Sequence, residues 1–513
     1  MLVVFLILVA ASIWFIAPWG QFPLNDDWVY TKNVLETLSV GKFTVSAGQY
    51  AYAIPQVVLG LFVVKPDQDP FLKLRWLGIA TGIVAASFLA WLGQKSLKQK
   101  SSILFLLGAI SIFFFIPYFQ PTFSFMTDAP AFLLWVISVW TLGLFLEKKN
   151  FNCWLLAFLT NALAVSERQL AILIPFSIVL SQNVGFRPKQ GLHGLARVFK
   201  QSYPVMLFVI PLVLIQLWWS QISPVKVPAS SFSPNPGVLV RLSRQLIYLG
   251  WTMIPFLCIP VNRSIASPNS TKFFKRALIV FVLGLVLHVV NWGFFGSYLL
   301  PPFYGNVLDR VGILPVLLAG NPEIIFPNFF RWGLLVVGIG GALRILWGFS
   351  LILDDSSKNK GIQLILSSSL VYSIFICFRG TQFDRYFIPV LPLSLICILK
   401  TCSSEKLSQL RVAGTGLACF VYIAFATTLV SDYFRWNEAR RAAIDFVFSK
   451  GLRPKDVCAG YEHEGWYQTD SKDCSYLVSF SELPKYKTEQ KFSYSSFWGS
   501  RQRDLYLLRK EAL

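Results

Sequence analysis

From its first residue to about residue 430 the chain alternates between long apolar stretches and short polar breaks. A helix that crosses a membrane needs roughly 20 mostly apolar residues. Stretches of that character lie near 2–18, 71–93, 103–119, 130–146, 153–166, 170–182, 203–219, 245–261, 277–295, 331–352, 361–378, 386–399 and 413–430. The pattern predicts an all-α polytopic membrane protein of about 13 spans, with 153–182 also readable as two halves of one broken element. Beyond residue 430 the pattern changes. Residues 436–450 have helical spacing with Gly451 as a stop, and CSYLVSF reads as a strand. The chain thus divides into a membrane domain, 1–430, and a small external α+β subdomain, 431–513.

Three connecting loops, 19–70, 220–244 and 296–330, are too long to be simple links. In the first, YTKNVLETLSVG follows Asp27 and puts Tyr30, Val34, Leu35 and Leu38 on one helical face. That pattern predicts an amphipathic helix at the membrane interface, ended by Gly41. A second apolar stretch, 51–64, contains Pro55 and is too short to span. Long ordered loops on one side usually carry function.

Composition sharpens this picture. The 513 residues are 55% hydrophobic and 14% charged, which excludes a soluble enzyme and a disordered chain. The net charge of +20 would point to nucleic acid in a soluble protein. Here the charge is distributed by side. One set of short loops holds Lys95, Lys98 and Lys100; Lys148 and Lys149; Arg187, Lys189, Arg197 and Lys200; Arg263, Lys272, Lys275 and Arg276; Lys358 and Lys360; and Lys400, Lys406 and Arg411. With Arg344, and against Glu147, Asp354, Asp355 and Glu405, that set nets +15, leaving +3 for the long loops and +2 for the tail. The positive-inside rule then puts the N-terminus in the cytoplasm and the long loops and tail outside. The basic excess is a topology signal, and no nucleic acid partner is called for. The first segment lacks a basic n-region and an A-x-A-like cleavage site, so it reads as a retained helix. Six of the eight cysteines lie in or beside spans; Cys458 and Cys474 lie in the tail, where an oxidising compartment permits a disulfide between them.

Acids on the long-loop side are few. Asp26 and Asp27 form NDDWVY after the first span. One carboxylate suffices to cap the helix that follows, and adjacent acids repel, so the second is free for general-base or metal-ligand work. Asp128, in QPTFSFMTDAPAFLL, stands at a span entrance and suits either a cap or a site. Glu167 and Arg168, in AVSERQLAI, sit between two apolar stretches, as a structural pair or as part of a site. Arg379 and Arg385, around Asp384 in CFRGTQFDRYFIP, offer guanidinium groups suited to phosphate or to interfacial anchoring. His288 and Asn291 read as an interhelical hydrogen-bonding pair. Three histidines, His463 among them, cannot build a histidine-rich metal site, and P-loop, G-x-S-x-G and dinucleotide fingerprints are absent.

The ordered set NDDWVY, FSFMTDAP, the ERQ turn and FDRYFIPVLP resembles the GT-C superfamily of integral-membrane glycosyltransferases, in its bacterial protein-mannosyltransferase-like and aminoarabinose-transferase-like branch. The resemblance covers most of 1–430. AGYEHEGWY in the tail is similar more weakly. It implies a sugar donor linked to polyprenyl phosphate, a bacterial plasma-membrane location, and an envelope lipid, glycan or protein acceptor. It also implies that Asp26 or Asp27 deprotonates the acceptor with inversion at the anomeric carbon, and that Asp128 faces the same cavity. By the same comparison, Arg168 and Arg385, and more weakly Arg379, are candidates to meet the donor phosphate. A divalent metal ion is left open. A transporter or flippase of lipid-linked sugars is the alternative, but it would be expected to place polar groups at mid-membrane on broken, repeated helices.

Overall fold

The computed structural model describes residues 1–46, 48–65, 69–99, 101–182, 206–224, 237–262, 267–295, 298–313, 318–355, 360–379, 382–402, 408–469 and 474–511. Of the basic loop residues, Lys100, Arg187, Lys189, Arg197, Lys200, Arg263, Lys358 and Lys406 lie outside them, as does the start of the 203–219 stretch.

The N-terminal half contains α1 (Leu2–Ile16), α2 (Asp27–Val40), α3 (Ile54–Val63), α4 (Pro70–Ser96), α5 (Ser102–Phe113), α6 (Ile116–Thr122), α7 (Asp128–Lys148), α8 (Phe151–Glu167) and α9 (Leu173–Gln182). After them come α10 (Val209–Ile222), α11 (Gly237–Gly250), α12 (Pro268–Phe295), α13 (Asn328–Asp355), α14 (Lys360–Phe378), α15 (Leu391–Thr401), α16 (Gln409–Ser449) and α17 (Tyr461–Tyr467). Six of these, α4, α7, α12, α13, α14 and α16, are long and apolar enough to cross a membrane. The α5–α6 pair, bent by 73°, makes a seventh. Helices α1, α3 and α10 are apolar but shorter, with 10 to 17 residues each, as is the 169–178 stretch that runs into α9. The described helices therefore support a membrane protein but not a count of thirteen full spans. On α12, Ile279, Val282, Leu283, Val286, Val289 and Val290 all face outward. An apolar surface of that extent is at home in lipid.

Helix α4 packs on α5 and α7, α7 on α8, and α14 on both α7 and α9. A second group joins α11 to α12 and α13, and α13 to α15. Small residues set the closest approach. A Cβ on Gly341 of α13 would lie 2.0 Å from the Gly250 carbonyl oxygen at the end of α11, so only glycine lets these backbones touch.

Helix α2 is the amphipathic element read from the sequence. Its Tyr30 and Val34 are buried against Val57, Leu74 and Phe125, so the apolar face is occupied by the protein's own α3 and α4. The 153–182 stretch is indeed broken, at Arg168 and a 3-10 turn over Gln169–Ile172. The tail departs from the sequence reading at its start. Helix α16 runs 41 residues without interruption, so the boundary drawn at residue 430 falls inside one helix. Beyond it, strands β3 (Val457–Cys458), β4 (Tyr476–Ser479), β5 (Tyr486–Ser495) and β6 (Gln502–Lys510) form a sheet in the order β3-β4-β6-β5, preceded in the chain by a two-stranded ribbon, β1 (Leu308–Asp309) and β2 (Gly312–Ile313). Cys458 and Cys474 are joined by a disulfide that closes the segment carrying α17.

Candidate active site

The NDD sequence makes three different uses of three residues. Asn25 takes a left-handed backbone (φ +54°), a conformation that asparagine tolerates better than most residues. That turn separates the two acids behind it. The Leu24 N–H donates to Asp27 Oδ1 at 2.7 Å, so Asp27 caps the turn from inside and is 2% exposed. Burial pushes its carboxyl well above the usual carboxylate range, against the opposing pull of the Arg75 guanidinium and the Leu24 N–H. Arg75 itself gathers the entry loop, donating to the carbonyls of Pro18, Gly20 and Phe22 at 2.6, 2.7 and 3.1 Å.

Asp26 points the other way. Arg385 Nη2 donates to its Oδ2 at 2.9 Å, and the Tyr461 hydroxyl donates to its Oδ1 at 3.0 Å. Its side chain keeps 27% of its surface exposed. Arg385 Nη1 lies 3.7 Å from Asp128 Oδ2, and Arg168 Nη2 lies 3.0 Å from Asp128 Oδ1. The result is an alternating chain of charge, Asp26–Arg385–Asp128–Arg168. Asp128 is fully buried and makes no side-chain cap on α7, which removes the simple capping reading. Its oxygens meet both guanidiniums at ion-pair distance but off the hydrogen-bond line, which leaves accepting capacity unused. Arg168 is fixed by donating from Nε to Thr127 Oγ1 at 2.9 Å. All four charged groups stand at helix ends, where broken backbone and polar side chains are brought together.

The other candidates separate from this cluster. Glu167 does not pair with Arg168; its Oε2 accepts from the Gln56 N–H at 3.1 Å and caps α3. Arg379 lies with its guanidinium 5.3 Å from the Tyr386 ring centre and its carbonyl accepting from Arg241, apart from the acids. Asp384 is occupied by the N–H groups of Val307, Leu308 and Arg385. The interhelical bond of His288 is made to Arg244, not to Asn291, with His288 Nδ1 3.0 Å from Arg244 Nη2.

Beside Asp128 and Arg168 opens an apolar cleft lined by Phe132, Trp135, Leu170, Tyr372 and Ile388. Ionic groups at the mouth of an apolar slot suit a ligand with a charged head and a hydrocarbon tail. A divalent cation is a poorer match. Asp26 and Asp128 are each already charge-paired with arginine, and among the described residues no three His, Cys, Asp or Glu side chains are gathered for a metal.

Sequence reasoning did not single out Tyr461, Glu462 or Arg440. Glu462, fully buried, accepts from the Asn25 N–H at 3.0 Å and from Arg440 Nη1 at 2.7 Å. The signal was visible in the acids of YEHEGWY, but no local pattern shows that Glu462 is the buried one.

No protein-family model matches the chain, and no curated protein matches it. Among solved structures it is similar to ArnT from Cupriavidus metallidurans in the apo state, with 10% identity, 94% of this chain and 86% of that chain covered, and a TM-score of 0.46. It is similar also to the same protein bound to undecaprenyl phosphate, with 9% identity, 98% and 97% covered, and a TM-score of 0.44. Identities and scores this low leave the site's chemistry to its own residues.

Proposed function

We propose that this chain is a membrane glycosyltransferase that moves a sugar from a polyprenyl-phosphate donor to a lipid, glycan or protein acceptor outside the cytoplasm. The observation that carries the reading is the charge chain Asp26–Arg385–Asp128–Arg168, whose Asp128 and Arg168 also line the apolar cleft. The motif resemblance in the sequence supports the same chemistry.

Arg168 and Arg385 take the phosphate, whose charge rises as it leaves, and the isoprenoid chain leads away past the apolar side chains beside Arg168. Asp26, the acid open to solvent, accepts the proton of the acceptor hydroxyl. The acceptor oxygen bonds to the anomeric carbon from the face opposite the phosphate, and the C–O bond to phosphate breaks with its electrons staying on the phosphate. The anomeric carbon inverts. Asp128 holds the two guanidiniums apart and in place. No step runs through a metal ion. The charge partition of the loops puts this face outside, with the tail above it. The sequence does not pair Gly/Pro-broken spans in its two halves, as a transporter built from inverted repeats would be expected to.

The test is transfer by purified protein in lipid, with a panel of undecaprenyl-phosphate sugars as donors and cell-envelope lipid and glycan fractions as acceptors. Transfer of one sugar with an inverted linkage supports the reading. Donor-dependent flipping with no covalent product would replace it with the transporter.

A further inference from the structure

We propose that Tyr461, carried by the tail, is a positioning residue for Asp26, so that the segment 458–474 forms a working wall of the site. This rests on the transferase reading above. The Tyr461 hydroxyl donates to Asp26 Oδ1 at 3.0 Å while Arg385 holds Oδ2 at 2.9 Å. Both oxygens of the one exposed acid in the cluster are thereby fixed, one from the membrane domain and one from the tail.

The segment is built to keep that hydroxyl in place. Glu462, next in sequence, bonds the Asn25 N–H and pairs with Arg440 of α16, whose Nη2 also donates to the Pro23 carbonyl at 3.2 Å. Lys32 of α2 donates to the Gly465 carbonyl at 2.8 Å. A Cβ at Gly465 would stand 2.3 Å from the Trp28 ring, so glycine is what lets α17 lie flat on α2. Tyr461 and Trp28 meet edge to face at 5.8 Å, and the Cys458–Cys474 disulfide closes the segment at its base. Contacts from both sides of Asn25 and from α16 and α17 thus hold the Tyr461 hydroxyl on one carboxylate.

The experiment reads Asp26 directly. Wild type and Tyr461→Phe are treated with a water-soluble carbodiimide and glycine ethyl ester at one fixed pH, and modification at residue 26 is quantified by tandem mass spectrometry. Tyr461→Phe keeps the ring against Trp28 and frees Asp26 Oδ1, so modification at residue 26 should rise about 2-fold or more. With a donor that wild type uses, Tyr461→Phe should lower kcat about 10-fold and leave KM within about 2-fold. Modification at residue 26 unchanged in Tyr461→Phe overturns the proposal. Raised modification in a protein that transfers from no donor would sink the transferase reading alone.

Discussion

Asp26 and Asp27 are neighbours in the chain whose carboxylates serve opposite sides of the same turn: Asp26 meets Arg385 and Tyr461 at the open face, and Asp27 caps Leu24 in the interior. Asp27 should therefore behave as a structural residue. Its folded pKa is raised, so its stabilising contribution is full below the unfolded value near 4 and is lost as pH rises through the folded value. Asp27→Asn keeps an acceptor for Leu24, and should melt within about 1 kcal/mol of wild type at pH 7 with a flatter pH dependence. Asp27→Ala leaves that N–H unpaired and should cost about 1–3 kcal/mol. Thermal melts in detergent between pH 4 and 8 check both.

Arg385 bridges two acids, and Arg379 bridges none of the cluster. Arg385→Ala leaves Asp128 buried with Arg168 as its one close cation, a change expected to cost about 3–5 kcal/mol. Arg385→Lys keeps the charge but cannot reach both carboxylates, and should lower transfer by about 10- to 100-fold. Arg379→Ala should leave transfer within about 3-fold. Steady-state rates beside melting temperatures separate these outcomes; an Arg379 effect as large as that of Arg385 would mean that the phosphate sits elsewhere.

The cleft beside Arg168 is assigned to hydrocarbon. Leu170→Trp adds bulk at its lining, and should raise the donor KM by about 10-fold or more while kcat changes less. Donor titrations with long and short isoprenoid chains check this. A short-chain donor should be affected less than undecaprenyl phosphate.

How much of this was legible in the sequence depends on the distance over which each signal acts. The apolar runs, the helix α2 face and the entry of α7 are periodic or local, and the structure keeps them. The motif order identified Asp26, Asp128, Arg168 and Arg385, which converge. It did not separate Asp26 from Asp27, because the left-handed turn at Asn25 depends on Met126 and Glu462, far away in the chain. The resemblance ranked Arg385 above Arg379 in CFRGTQFDRYFIP, and the 3-10 turn over Asp384–Val390 carries Arg385 to the acids. The charge partition predicts an orientation from the whole chain rather than from one motif. The number of full spans was the weakest part, since short apolar helices such as α1 and α10 look like spans in a hydropathy window.

His463 stands behind Tyr461 in the same short helix, with Nε2 3.3 Å from the Pro454 carbonyl and its ring 4.7 Å from that of Tyr467. Burial pushes its pKa down to about 4. The unfolded chain takes up this proton near pH 6.5 and the folded one does not, so stability falls as pH drops from about 6.5 to 4, by up to about 3 kcal/mol. Hydrogen exchange in α17 should quicken over that range in wild type, and much less in His463→Gln.

In the proposed reaction Asp26 is the acid that receives the acceptor's proton. The direct measurement is sugar transfer by Asp26→Asn and wild type, side by side in lipid, with melting temperatures recorded on the same samples. Asp26→Asn should lose about 100-fold or more in kcat with the melting temperature held within about 3 °C. Full transfer by Asp26→Asn would contradict it.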